Sequence, residues 1–116
     1  MTRKSYVYGV DAEKMVIEHY QALGFELLKH RFKTPYGEID LIMRNADSLV
    51  FIEVKARTNP QHEEFITSRQ IKRCCNTALH FMSSDGVEWL ELAQRFDLVV
   101  IINNRIANII ENAWSC

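Results

Sequence analysis

The sequence predicts a mixed α/β sandwich with elements in the order α-β-β-β-α-β-β, and three observations carry that expectation. Two segments, 9–23 and 67–82, repeat apolar residues at helical spacing. Runs rich in β-branched and aromatic residues lie between and after them. Both prolines, Pro35 and Pro60, fall between candidate elements, where a fixed φ and a missing donor do least harm.

In the first helix, Ala12, Met15, Val16, Ile17, Tyr20, Ala22 and Leu23 form one apolar arc. Lys14, Glu18 and Gln21 oppose it, and Gly24 is the expected stop. Glu13 breaks the pattern by falling inside the arc. His19 points near it and is expected to be partly buried with a local partner. "FELLKHRF" at 25–32 suits the first strand, "GEIDLIMR" the second and "SLVFIEVKA" the third. The third is apolar on both faces up to Phe51 and Ile52, as befits a central strand covered on both sides. In the second helix, Ile71, Cys74, Cys75, Ala78, Phe81 and Met82 line the apolar side, while Arg69, Arg73, Asn76 and His80 face away. "SSDG" at 83–86 suits a turn, "FDLVVII" at 96–102 a buried strand, and 106–111 a short last strand.

The chain has 116 residues, enough for one domain with a single core, and 25% of them are charged, ordinary for a globular protein. The start, "MTRKSYVYGVDAEK", has no apolar signal region, and the apolar run "LVVII" is too short to cross a bilayer, so a cytoplasmic protein without a membrane partner is expected. The cysteines agree: Cys74 and Cys75 are adjacent and distant from Cys116, which matches neither zinc-ligand spacing nor an even disulfide framework. Cys74 and Cys75 read as small apolar residues, and Cys116 as a free thiol. A net charge of −1 argues against a protein that coats nucleic acid through a large positive excess. It leaves room for local clusters, Lys55/Arg57 and Arg69/Lys72/Arg73.

The stretch "GEIDLIMRNADSLVFIEVKAR" at 37–57 concentrates the chemistry. A tight turn centred on Ala46 and Asp47 would make opposed positions sum to 93, so Asp40 would face Glu53 and Glu38 would face Lys55. All four charges would then share one face of the sheet. Like charges directly opposed are destabilising, and a divalent cation such as Mg²⁺ or Mn²⁺, which prefers oxygen ligands, would relieve an Asp40/Glu53 pair. Taken on physics alone, that reading competes with an exposed hairpin carrying cross-strand ion pairs such as Glu38–Lys55.

The string "GEIDLI…LVFIEVKAR", with "GVDAE", the helix at 67–82 and "RFDLVVI" at 95–101, resembles the YraN family of small bacterial proteins. By similarity that family belongs to the PD-(D/E)XK nuclease superfamily. The short spacing to "EVK" and the upstream helical Glu13 also look like archaeal-type Holliday junction resolvases. The resemblance implies one nuclease-like domain over 1–116 with a restriction-endonuclease-like α-β-β-β-α-β core, its mixed central sheet flanked by helices. Residue by residue, it implies that Asp40 and Glu53 bind Mg²⁺ or Mn²⁺, with Glu13 and the Val54 carbonyl as further ligands. Lys55 would orient or activate the attacking water, and Glu38 would orient Lys55. Arg57, Arg69, Gln70, Lys72 and Arg73 would contact the phosphates of flanking DNA. Gln70 stands where family members more often carry lysine, and Ala12 replaces a glycine before Glu13. Asp97, within "RFD", reads as a capping or loop-ordering residue rather than a ligand.

The implied activity is metal-dependent hydrolysis of DNA phosphodiester bonds, with branched or structured DNA favoured over plain duplex by the low net charge. A homodimer would help span a junction, though no stretch marks an interface. Rival readings are a catalytically weak or inactive nucleic-acid-binding module that keeps the nuclease fold, and a purely structural partner protein. For Glu13 a boundary residue turned toward solvent, and for the helix-borne basic residues a solvated face, remain the plain alternatives.

Overall fold

The computed structural model describes residues 2–57, 66–84 and 87–116, without the side chains of 2–10, 87 and 88. Pro60 and part of the turn expected at 83–86 lie outside the described residues. The elements are α1 (Thr2–Ala22), β1 (Glu26–Thr34), β2 (Gly37–Arg44), β3 (Ser48–Arg57), α2 (Ser68–Ser84), a 3₁₀ turn (Val87–Glu91), β4 (Ala93–Ile102) and β5 (Arg105–Ile110). The predicted order holds. The 3₁₀ turn is an addition, and α1 begins well before the expected residue 9.

The five strands form one open sheet in sequential order, antiparallel except for the parallel β3–β4 pair. This mixed sheet between helices is consistent with a restriction-endonuclease-like core. α1 covers one face through Ala12, Val16 and Tyr20, packed on Leu41, Met43, Val50, Ile52, Val99 and Ile101. α2 covers the other through Cys74, Ala78, Phe81 and Met82, packed on Ile42, Leu49, Phe51, Phe96 and Leu98. β3 contributes to both cores, as its two-sided apolar pattern predicts. The end of the α1 arc is different, because Ala22 and Leu23 run past the sheet and stay exposed. His19 is exposed as well, correcting the expectation of partial burial. Gly24, at φ 95°, ends α1 as expected.

The β2–β3 turn is built by Asn45, whose side-chain Oδ1 accepts the N–H groups of Asp47 and Ser48 at 2.9 and 2.8 Å. Asn103 and Asn104, both at positive φ (53° and 60°), make the tight β4–β5 turn. Asp97 ties three elements together from inside the α1-side core, where it is 0% exposed. It accepts from Tyr20 Oη at 2.6 Å, from Arg95 at 2.9 Å through each of two nitrogens, and from the Asn112 N–H at 3.0 Å. Burial, then the bond to Asp97, pushes the Tyr20 phenol well above its ordinary range. The loop-ordering role expected of Asp97 is what its contacts describe.

The cysteine expectation is corrected. Cys75 and Cys116 form a disulfide, with Cα atoms 5.7 Å apart, and only Cys74 is a free, buried thiol. Docking of the C-terminal segment is the cause: Ala113 donates to the Phe96 carbonyl, and Trp114 packs on Phe96 at 5.4 Å. A contact between positions so far apart leaves no mark in local spacing. Among the described residues, no helix is long and apolar enough to cross a membrane.

Candidate functional site

Pairing between β2 and β3 follows the predicted arithmetic from Arg44↔Leu49 to Leu41↔Ile52. There the ladder stops. One residue further, Asp40 does not pair with Glu53 as a strand partner. Its Oδ2 instead accepts the Val54 N–H at 2.8 Å, and its own N–H lies 3.4 Å from Glu53 Oε1. The two strands therefore open into a fork closed by side chains.

Burial on β2 shows the same break. Leu41 and Met43 face the α1 core and Ile42 the α2 core, so strict alternation would send Ile39 to the α1 side, yet it packs in the α2 core. Across the sheet on β1, Arg31 has φ 54°, and the Arg31–Asp40 pair is missing between His30↔Leu41 and Phe32↔Ile39. Both strands are distorted at the level of Asp40.

That distortion explains how adjacent residues on β1 reach one carboxylate. His30 Nε2 and Arg31 Nε lie 2.6 and 3.0 Å from Oε1 of Glu13. In a regular strand those side chains would point to opposite faces. Glu13 is 9% exposed, so its place in the apolar arc of α1 is a buried one balanced by two basic groups. Sequence reasoning missed His30 and Arg31. The adjacent basic pair inside "KHRF" was the available signal.

Glu53 and Lys55 share the α2 side of β3, with side chains 13% and 18% exposed, and Lys55 Nζ stands 3.7 Å from Glu53 Oε2. The expected Glu38–Lys55 ion pair does not form: Glu38 is exposed, and Lys55 is drawn to Glu53. Glu38 still acts through its charge, which helps raise the pKa of both Asp40 and Glu53. Burial dominates at both groups. It raises Asp40 to about 6, with the Glu13 charge adding to it and the Val54 N–H and Lys55 opposing. Burial and then the Asp40 charge raise Glu53 to about 8, against the pull of Lys55. The pair therefore holds one proton near neutral pH. Beneath them, burial followed by the charges of Glu53 and Asp40 pushes the Cys74 thiol up to about 12.

Gly37, Glu38, Glu53, Gln70, Arg73 and Cys74 line a small depression of about 140 Å³ on this side. Gln70 and Arg73 are thus brought beside Glu38 and Glu53. Arg69 is exposed on the first turn of α2, and Arg57 stands at the far end of β3, its Nη1 on the Ala56 carbonyl. Lys72 is turned away. It lines a separate cavity of about 690 Å³ between α2, Gln94 and the disulfide-linked C-terminal segment.

The donor set suits a hard divalent cation in ligand type: two half-buried carboxylates at one fork, both raised in pKa by burial, with the Asp40 charge adding to the rise at Glu53. Among the described residues, no hydrogen bond reaches Oδ1 of Asp40. Among the described residues no three of His, Cys, Asp and Glu are grouped to hold a metal, and Glu13 is held by His30 and Arg31.

Fold and site define a small α/β protein with an acidic fork at the end of its central hairpin. The chain belongs to the uncharacterised protein family UPF0102, whose profile matches residues 12–101. It is 34% identical over 113 residues to a UPF0102 protein of Ruegeria sp. (strain TM1040), covering 97% of this chain and 90% of that one. A UPF0102 protein of Sulfurihydrogenibium sp. (strain YO3AOP1) is 32% identical over 106 residues, covering 89% and 90%. Another, from Rhodopseudomonas palustris (strain BisB18), is 36% identical over 94 residues, covering 80% and 69%.

Proposed function

We propose that the protein is a divalent-metal-dependent endonuclease that hydrolyses DNA phosphodiester bonds, with branched or structured DNA as its substrate. The observation that carries this reading is the fork itself. Two carboxylates with raised pKa meet where the β2–β3 ladder opens, with Lys55 beside one of them and Gln70 and Arg73 at the rim.

Asp40 and Glu53 would hold Mg²⁺ or Mn²⁺, with the Val54 carbonyl as a further oxygen ligand. When bound, the cation would polarise the scissile phosphate and ease deprotonation of water. The chain's own residues supply the rest. The Val54 N–H fixes Asp40, leaving its second oxygen to face the gap. Lys55, now paired with Glu53, would turn its ammonium to the attacking water or to a phosphate oxygen. Arg73 and Gln70 would hold the flanking strand by its phosphates, which position DNA without reading its sequence. Glu13 would act on Asp40 through its charge while His30 and Arg31 hold it.

The alternative, a nucleic-acid-binding module without useful catalysis, is favoured by that last observation, because Glu13 is already engaged by two basic groups. One experiment separates the two. Wild type, Asp40→Ala and Glu53→Ala are incubated with Mg²⁺ or Mn²⁺ and single-stranded, duplex, flapped and four-way DNA, with melting curves to verify folding. Cleavage of at least one branched substrate by wild type is expected, with each substitution lowering it at least a hundredfold, the order of effect seen when charge stabilisation is removed. Binding without cleavage supports the alternative. Cleavage that survives both substitutions removes this site from the reaction.

A further inference from the structure

The β1–β2 turn beside the fork presents a large aromatic ring to solvent. Tyr36 is 54% exposed, and among the described residues nothing bonds its hydroxyl. Turn positions usually take small or polar residues for backbone reasons, and a tyrosine that covers no core contributes little to folding there.

The ring is nevertheless held on a rigid mount. Thr34 Oγ1 accepts the Tyr36 N–H at 3.1 Å and lies 3.3 Å from both the Gly37 carbonyl and Thr77 Oγ1 on α2. Thr77 is anchored in turn, donating to the Arg73 carbonyl at 2.8 Å. Gly37 lets the turn press against α2: a Cβ there would lie 3.2 Å from Arg73 Cβ and 3.3 Å from Thr77 Oγ1. The turn is therefore docked on the helix, which fixes the backbone that carries Tyr36.

The surroundings are those of a strand-binding path. The Tyr36 ring is 6.0 Å from the His80 imidazole, which packs on Phe32 at 6.4 Å. Tyr36, Asn76, Leu79, His80 and Ser83 border a shallow depression of about 370 Å³. Gln70, Arg73 and His80 stand exposed at i, i+3 and i+10 along α2 and mark one stripe of its surface, with Thr77 between Arg73 and His80 buried beneath the turn. The stripe runs from the carboxylates to the aromatic pair over roughly two helical turns, about 10 Å from Arg73 to His80.

We propose that Tyr36, backed by His80, is a stacking platform for an unpaired base of the DNA strand whose phosphates lie along Gln70 and Arg73. The proposal rests on the nuclease reading and names its substrate class: DNA with a single-stranded segment next to the bond at the fork. An aromatic face beside a basic track is how proteins hold single strands without sequence preference. A fully paired duplex keeps its bases inside the stack and offers nothing to such a ring.

The test measures binding by fluorescence anisotropy in EDTA, where metal-dependent cleavage cannot consume the probe. The probes are a blunt duplex and the same duplex with a single-stranded tail, and a second tail series carries 2-aminopurine at successive positions. Tyr36→Ala is expected to weaken tailed DNA by roughly 5- to 100-fold, the usual range for losing one stacked base. Blunt-duplex binding should not change. Tyr36→Phe should bind as wild type, because the ring face and not the hydroxyl makes the contact. One 2-aminopurine position should be quenched by wild type and by Tyr36→Phe but not by Tyr36→Ala.

Equal losses on blunt and tailed DNA, no loss at all, or a Tyr36→Phe as weak as Tyr36→Ala would overturn the platform while leaving the fork untouched. A change of oligomeric state in Tyr36→Ala on a sizing column would assign the patch to a second copy of the chain, and also overturn it. No binding of tailed DNA by wild type would overturn the platform, whereas the nuclease reading falls separately, by the absence of cleavage with Mg²⁺ or Mn²⁺.

Discussion

Asp40 and Glu53 share a charge conflict that the fold tolerates only by keeping a proton. In the unfolded chain both ionise near pH 4. In the folded protein burial raises them to about 6 and about 8, helped by the Glu13 charge at Asp40 and by the Asp40 charge at Glu53. The native state therefore binds more protons than the unfolded state across that window, and stability falls as pH rises through it. Without metal, the melting temperature should be higher at pH 5 than at pH 8.5. One pKa unit corresponds to about 1.4 kcal/mol, and about 1 kcal/mol moves the midpoint by roughly 4 °C in a chain of this size. Glu53→Gln, which imitates the protonated acid, should flatten the slope. A slope unchanged in Glu53→Gln combined with Asp40→Asn would place its origin elsewhere. The same conflict explains why Glu53 keeps Lys55 at 3.7 Å in place of the Glu38 partner foreseen from cross-strand arithmetic. Glu38 is exposed, while Glu53 is half-buried and has more to gain from a cation.

At the scale of elements, the hairpin was legible because its turn is local. Asn45 closes the two-residue turn with its own side chain, and the register then follows residue by residue to Leu41↔Ile52. Sequence could not say where the ladder would stop, because the cause includes β1: Arg31 adopts φ 54° opposite Asp40, and His30 and Arg31 turn together to Glu13. Glu13 was visible as a charge in an apolar arc, but its partners were not. Arg73 and His80 were visible on the polar face of α2, and the docking of Gly37 beside Arg73 was not. The disulfide was hidden for the same reason, since it depends on the C-terminal segment folding back onto α2. Closing the loop from Cys75 to Cys116 should stabilise the fold by about 2–4 kcal/mol, mainly by restricting the unfolded chain. Reductant should therefore lower the melting temperature by roughly 10 °C. Cys116→Ser should melt at the reduced value with or without reductant. A wild type indifferent to reductant would show that the bridge does not contribute.

For the whole molecule, the fold class followed from the alternation of helical and strand patterns, and above all from the two-sided apolar run in β3. That run places β3 at the centre, between the antiparallel partner it meets at once and the parallel partner that arrives only after α2 has been laid down. α1 and α2 then cover opposite faces, which leaves the open end of the hairpin, and with it the fork, at the margin of the α2 layer.

The late arrival of β4 has a consequence for the nascent chain. Until β4 docks, β3 is a bare sheet edge whose first half, Leu49 to Ile52, is wholly apolar, and such edges recruit other chains. Its second half carries Glu53, Lys55 and Arg57, and charges beside an apolar run oppose edge-to-edge association. The residues proposed for the reaction would thus also keep unfinished molecules apart. Diluted from denaturant at micromolar concentration, Glu53→Gln combined with Lys55→Gln should scatter more light and return less soluble protein than wild type. Equal recovery of the two would show that the edge is guarded by other means.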